Sequence, residues 1–258
     1  TLLTRKSGEQ GLPSANTLDL TASSGLSYKV RDGDVIQVSE MGDLVSNSVV
    51  LKGAVTRPGE YGWLPGMRVS NLISNARRDL ARDADLGLGM IVRQKNALLD
   101  IEVLSFDLAA LIASPGSDKD PLLNEFDEVL IFSLVTADLI EAEAEAEEEE
   151  VAAQGARTML LGPVVAKLRG QARQNEPVQL VSVAGAVRAP GTYPLIAGAT
   201  VGTLISSAGG LTDSAYLAAA ELRRLANGTN GEVRADYRDL DLSVSRGKDL
   251  TLASRDHL

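Results

Sequence analysis

The sequence predicts an α/β (α+β) chain in which one small unit, a β-hairpin laid against a helix, is used twice with a helical insertion between the two uses. Three observations carry that prediction. The stretch Val49–Ala76 recurs without a gap 132 residues later as Val181–Ala208, with 13 of 28 positions identical. Self-similarity at this level marks one structural unit used again. Within each copy the apolar spacing changes from two, the period of a strand, to the i, i+3, i+4, i+7 of a helix. Between the copies lies a run of strong helix formers with seven glutamates from Glu141 to Glu150.

Residues 1–45 read as the tail of a preceding repeat and a linker. Thr1–Ser27 is polar and rich in Ser, Thr and Gly, without a persistent period, as in a loop or the frayed end of a preceding unit. Tyr28–Val38 then supplies a strand, and its Gly33-Asp34-Val35-Ile36-Gln37-Val38 has the form of the strand that closes the repeat downstream.

The first repeat occupies residues 46–133. Its β-branched run Val49–Val55 makes a strand, and Pro58-Gly59 makes a cheap chain reversal, since Pro presets φ and Gly tolerates φ > 0. A second short strand carries Tyr61. After Gly66 a helix face forms from Val69, Leu72, Ile73 and Ala76. A strand near Met90–Arg93 follows, then Leu98–Val103, which suits an edge strand or a short helix, then Phe106-Asp107-Leu108 and a closing strand, Asp127–Phe132.

The insertion covers residues 134–178. Asp34 to Asp127 is 93 residues and Asp127 to Asp256 is 129, an excess of 36. Ala137–Ala153 forms one helix, with Thr136 or Asp138 as its N-cap. Arg157–Gln174 forms another, with Met159, Leu160, Val164, Val165 and Leu168 on one face and Pro163 at a kink or at its start. Two arrangements suit this segment: a helical hairpin packed on its own repeat, or an arm that meets a neighbouring subunit, its acidic run against Lys167, Arg169 and Arg173.

The second repeat occupies residues 179–258. It repeats the strand at Val181–Val187, the turn at Pro190-Gly191, Tyr193, and a helix face of Val201, Leu204, Ile205 and Ala208. Gly209-Gly210 is a C-cap where the first copy has Arg77-Arg78. A strand at Glu221–Arg224, a turn at Asn227–Gly231 and Tyr237–Leu240 follow. The closing signature begins at Asp256-His257-Leu258, so this repeat is expected to be truncated at its last strand and the chain to be a fragment of a longer protein.

The pattern G-A-V-x-x-P-G-x-Y, V-x-x-L-I-x-x-A, G-G-L and a closing D-x-V/L-x-I/V resembles the soluble-ligand-binding β-grasp domain. The resemblance covers roughly Ser46–Phe132 and Val181–Leu258. It implies two tandem β-grasp (ubiquitin-like) domains, and two copies in one acidic, cysteine-free chain look like the periplasmic part of an outer-membrane polysaccharide export protein. On that resemblance the partners are a polysaccharide, further copies of the full-length protein as a homo-oligomer, and an inner-membrane polysaccharide co-polymerase. Attachment to the outer membrane would come through parts outside this sequence.

Composition narrows the function classes. Net charge is −10 with a pI near 4.7, which argues against nucleic acid or anionic lipid as a partner. There is no cysteine, hence no disulfide, thiol nucleophile or Cys-based metal site. No apolar stretch approaches the roughly 20 residues that span a bilayer. His257 is the only histidine, so Ser-His catalysis has no candidate, and no carboxylate pair is placed by spacing for glycosidase chemistry. The Glu run lacks the turns that an ordered carboxylate cage requires. No catalytic residue, cofactor or metal is therefore expected.

The candidate contact residues for glycan or subunit are Arg57, Arg77, Arg78, Arg188, Arg223 and Arg224. Arginine forks match carboxylate and phosphate, and Trp63, the only tryptophan, offers a face to a sugar ring. The alternatives are arginines solvated or paired with Asp79, Asp83 and Asp85, and a Trp63 packed in the core. Two function classes follow: tiers of an oligomeric conduit that passes polysaccharide to the outer membrane, or a monomeric module that binds a soluble ligand or glycan.

Overall fold

The computed structural model describes residues 2–5, 14–17, 27, 29, 35–37, 47–96, 98–134, 145–173, 177–227 and 233–258. The chain divides into two compact units, Thr1–Ser46 and Asn47–Leu258. In the first unit, β1 (Leu2–Arg5), β2 (Ser14–Thr17) and β3 (Val35–Gln37) form an antiparallel sheet in the order β2-β1-β3. Of the strand expected at Tyr28–Val38, Val35–Gln37 is present as β3. Thr1–Ser27, expected as a loop or the frayed end of a preceding unit, holds two strands at Leu2–Arg5 and Ser14–Thr17: they are fixed by backbone pairing, which a search for apolar periodicity does not register.

In the second unit, the first repeat builds a five-stranded sheet. Its strands are β4 (Ser48–Gly53), β5 (Gly59–Gly62), β6 (Ala84–Gln94), β7 (Ile101–Phe106) and β8 (Glu128–Ser133), in the order β5-β4-β8-β6-β7. The first and last strands lie parallel at the centre, and the other neighbours are antiparallel. Three short helices cover one face: α1 (Val69–Leu72), α2 (Ala76–Asp79) and α3 (Leu108–Ala113). Asp107 caps α3 by accepting from the Ala110 N–H at 2.8 Å, and Leu98–Val103 resolves as the approach to an edge strand. Gly53 has φ +96°, and a Cβ there would stand 1.9 Å from the Ile131 carbonyl oxygen, so the first strand leaves the sheet where only glycine fits.

The alternation of strand side chains sorts this sheet into two buried faces. Val49, Leu51, Ile91, Val129 and Ile131 pack with Val69, Ile73, Leu108 and Leu111 of the helices. Met90, Val92, Val103, Leu130 and Phe132 point the other way, into a core that they share with the insertion and the second repeat. That is why β8 is apolar at four successive positions, Val129–Phe132, each at most 1% exposed.

Among its described residues the insertion holds one helix, α4 (Glu145–Gly170), with Pro163 inside it. The expected helical hairpin is not formed over the described residues. Buried Leu161, Val164 and Leu168 recur on one face at helical spacing and fill the shared core, so tertiary packing carries the helix past the proline. The proposed caps Thr136 and Asp138 and the first two of the seven glutamates, Glu141 and Glu143, lie outside the described residues. The basic face pairs within the chain: Lys167 with Glu128 at 3.7 Å and Arg173 with Asp100 at 3.1 Å.

The second repeat reproduces the plan with β9 (Leu180–Val183), β10 (Gly191–Pro194), α5 (Val201–Ser207), β11 (Ala220–Asn227), β12 (Val233–Leu240) and α6 (Ser245–Lys248). His257 bridges Ser182 in parallel and Arg223 in antiparallel fashion, so Asp256–Leu258 takes the central place that β8 takes in the first repeat. The copies differ at the helix. Thr200 and Thr203 cap α5 reciprocally, and it ends at the C-cap Ala208, followed by Gly209 (φ +76°) and Gly210 (φ +95°). In the first copy the corresponding helix stops at Leu72, because the Asp79 carboxylate takes the Ser74 and Asn75 N–H groups and the Asn75 side chain starts a new turn.

Candidate functional site

Three of the six predicted arginines cluster at the end of the first-copy helix, where Asp79 is the organiser. Its carboxylate accepts from Arg78 Nε at 2.8 Å and lies 3.5 Å from Arg57 Nη2. With the Ser74 and Asn75 N–H groups also aimed at it, Asp79 is buried. The Arg78 hydrogen bond is the main cause that holds its carboxyl far below the usual carboxylate range. Arg57 and Arg78 thus match the paired alternative, while their side chains remain 71% and 65% exposed. Arg77 is exposed. The group is a basic rim on a carboxylate, able to offer the outer guanidinium donors to an anion.

Arg188 donates from Nε to the Leu211 carbonyl at 3.3 Å, which ties the hairpin turn to the chain after α5. Arg223 and Arg224, adjacent in sequence, separate in space because successive strand residues face opposite ways. Arg224 holds the fully buried Asp256 in a two-pronged pair, Nε at 2.9 Å and Nη2 at 2.5 Å, and its Nη2 also donates to Thr251 O at 2.9 Å. Arg223 stands exposed on the opposite sheet face.

The Arg224 arrangement is duplicated. In the first repeat Arg93 grips buried Asp127 with Nε at 3.0 Å and Nη2 at 2.7 Å, and reaches Leu122 O at 2.8 Å. Each aspartate also accepts a backbone N–H from three residues earlier, Asn124 or Ala253, at 2.8 Å. The residue just before each aspartate has positive φ, Phe126 at +65° and Arg255 at +64°. Arg224 is therefore a clamp that seats the closing strand rather than a surface contact. The signal was present in the sequence: an arginine about 32–34 residues before each closing aspartate.

Sequence reasoning also missed Arg157, which is 1% exposed. Nη2 donates to Asp85 Oδ2 at 2.9 Å and Ser133 O at 3.1 Å, Nη1 donates to Ser207 O, and the guanidinium lies 4.8 Å from the centre of the Phe132 ring. One side chain of α4 thereby joins both repeats. Trp63 is half-buried and donates from Nε1 to Leu123 O at 2.7 Å. It lines a shallow cleft of about 460 Å³ with Gln94, Lys95, Asn96, Asn124 and Phe126, and no arginine. A second cleft of about 530 Å³ lies between β7, the end of α4 and Leu195–Gly198 of the second repeat. Among the described residues no group of histidine and acidic side chains is arranged to hold a metal ion.

Residues 180–235 match the SLBB domain family. No curated protein matches the chain. The SLBB segment includes β9, β10, α5 and β11 and stops inside β12, so Arg188, Arg223 and Arg224 lie within it. Its clamp partner Asp256 lies beyond it. Arg57, Arg77 and Arg78 belong to the other copy. No helix among the described residues is long and apolar enough to cross a membrane.

Proposed function

We propose that this chain is a pair of tandem β-grasp domains from the periplasmic part of a capsule or exopolysaccharide export protein, attached to the outer membrane in the full-length protein. Copies assemble into a ring, and each repeat contributes one tier of a conduit that passes polysaccharide outward. The observation that carries the reading is the SLBB match on a repeat whose two hairpins, linked by the bridges at His257, follow the strand order of the five-stranded sheet in its neighbour. The two are fused through one core and the Arg157 network. A rigid double unit suits stacked tiers, and head-to-tail interfaces close a ring when the rotation allows.

The partners are a polysaccharide, further copies of the protein and an inner-membrane polysaccharide co-polymerase. SLBB is a binding and transport module rather than an enzyme family, and we assign no catalytic role. The second reading, a monomeric module for a soluble ligand or glycan, is favoured by the cleft of about 530 Å³ between the repeats.

The test is surface polysaccharide in cells whose protein lacks residues 47–258, with periplasmic polymer measured alongside. Loss from the surface with polymer retained in the periplasm is the expected outcome. Unchanged surface polymer would remove the conduit and leave the ligand module.

A further inference from the structure

The registers of the two repeats define the same row of side chains across each five-stranded arrangement, and the two rows have opposite character. In the second repeat Thr192 pairs Ser182, Ser182 bridges His257, His257 bridges Arg223, and Arg223 pairs Tyr237. Residues directly opposite on neighbouring strands share a face. Thr, Ser, His, Arg and Tyr therefore stand side by side on the face away from α5. With strands about 4.8 Å apart, the row spans roughly 19 Å.

In the first repeat the corresponding row is Glu60, Val50, Glu128, Val92 and Val103. Val92 and Val103 are 3% and 5% exposed in the core shared with Leu161, Val164 and Leu168 of α4. The scaffold is thus common, and one copy uses this face for packing. In the other copy the face is open: Tyr237 is 58% exposed, Arg223 is exposed, and Thr192, Ser182 and His257 are half-buried.

Solvent exposure alone calls for polar side chains, but it does not call for this set. Arg224, the next residue, is committed to Asp256, and Arg57, Arg78, Arg93, Arg157 and Arg173 also sit against carboxylates. Arg223, like the exposed Arg77 and Arg82, has no ion pair among the described residues, and it alone of these stands in register with His257 on one side and Tyr237 on the other. Ser182 Oγ and His257 Nδ1 hold each other at 2.8 Å, which fixes two polar groups next to that guanidinium. One step along the same face, Glu221 pairs Asp239.

We propose that this open face binds a saccharide that carries a carboxylate. Arg223 takes the carboxylate through its planar fork. Tyr237 lies against the apolar face of a pyranose ring and its hydroxyl hydrogen-bonds at the rim. Ser182, His257 and Thr192 bond the hydroxyls of the following units. Glu221 and Asp239 accept hydrogen bonds from hydroxyls and repel a second carboxylate at their own position, which confines the acidic group to the Arg223 row. The proposal rests on the export reading only for the origin of the saccharide.

The experiment is titration of the ¹⁵N-labelled 258-residue chain with trigalacturonate, with maltotriose as the neutral control. Expected are amide shifts confined to 182, 192, 221–223, 237–239 and 257, with weaker binding of maltotriose. Arg223→Ala should bind trigalacturonate at least tenfold more weakly, Arg223→Lys should fall between, and Arg77→Ala should bind as the wild type does. Thermal melting confirms that each variant is folded.

No saturable shifts in the wild type, or equal binding by Arg223→Ala, would overturn the proposal. So would a sedimentation experiment in which Arg223→Ala changes the oligomeric state while trigalacturonate binding is unaltered, since the face would then be a subunit interface. Failure here with loss of surface polymer on deletion of residues 47–258 would leave export standing and remove the saccharide face. Binding here with unchanged surface polymer would do the reverse.

Discussion

Arg223 and Arg224 are neighbours with different duties, and a strand's alternation is enough to separate them. Removing the Asp256 carboxylate leaves Arg224 without its buried partner and unlatches the closing strand. Asp256→Ala should therefore cost about 3 kcal/mol, and Asp127→Ala in the other clamp should cost a similar amount, both read from urea midpoints. Arg223→Ala should cost under about 0.5 kcal/mol, as an exposed substitution does. Asp79 adds a pH signature. Its folded pKa is depressed, chiefly by Arg78, so its contribution is fully present above the unfolded value near 4 and is lost as pH falls below it. The stability gap between wild type and Asp79→Asn should be constant from pH 7 to about 5 and should shrink on acidification toward pH 2. A gap that is unchanged at pH 2 would rule out that role.

At the scale of elements, α4 decides how the copies are joined. Its buried face, Leu161, Val164 and Leu168, belongs to the same core as Phe132 of one repeat and Leu204 of the other. Leu168→Ala, which leaves a cavity there, should cost about 3 kcal/mol. The loss should appear as one transition shifted to lower temperature, because neither repeat keeps its own separate share of that core. Two resolved transitions in calorimetry would show instead that the repeats melt independently. The twin helices make a complementary point. Gly209-Gly210 ends one by its own backbone freedom, whereas Asp79 ends the other by taking donors that helix growth would need.

For the molecule as a whole, duplication has supplied two similar scaffolds and divergence has assigned them different surroundings. The first sheet is covered on both faces, by its own helices and by the insertion with the second repeat. The second sheet leaves its outer row to solvent, where Arg223 and Tyr237 stand. That asymmetry fits a tier that is structural and a tier that meets cargo, and the deletion and titration experiments address the two halves of that reading separately.

The repeat, the strand-to-helix order within each copy and the closing aspartates were legible in the residues themselves. Identity at 13 of 28 positions and a change of apolar period are local signals. The SLBB match falls on the copy with the intact Gly209-Gly210 cap. Among the six arginines, the sequence could say which were near turns and helix ends but not which way they faced, because adjacent strand positions differ only in side. Whether a charged residue is free or committed depends on partners 30 or more residues away, as with Arg93 and Asp127 or Arg224 and Asp256. The sequence by itself determined the unit and its doubling, since hydrophobic period and turn chemistry act between near neighbours. Only the tertiary structure decided that one helix packs against both repeats, that Arg157 is buried between them, and that one row is core and its twin is surface. Burial is a property of what packs on top, and that is not written in any single stretch of chain.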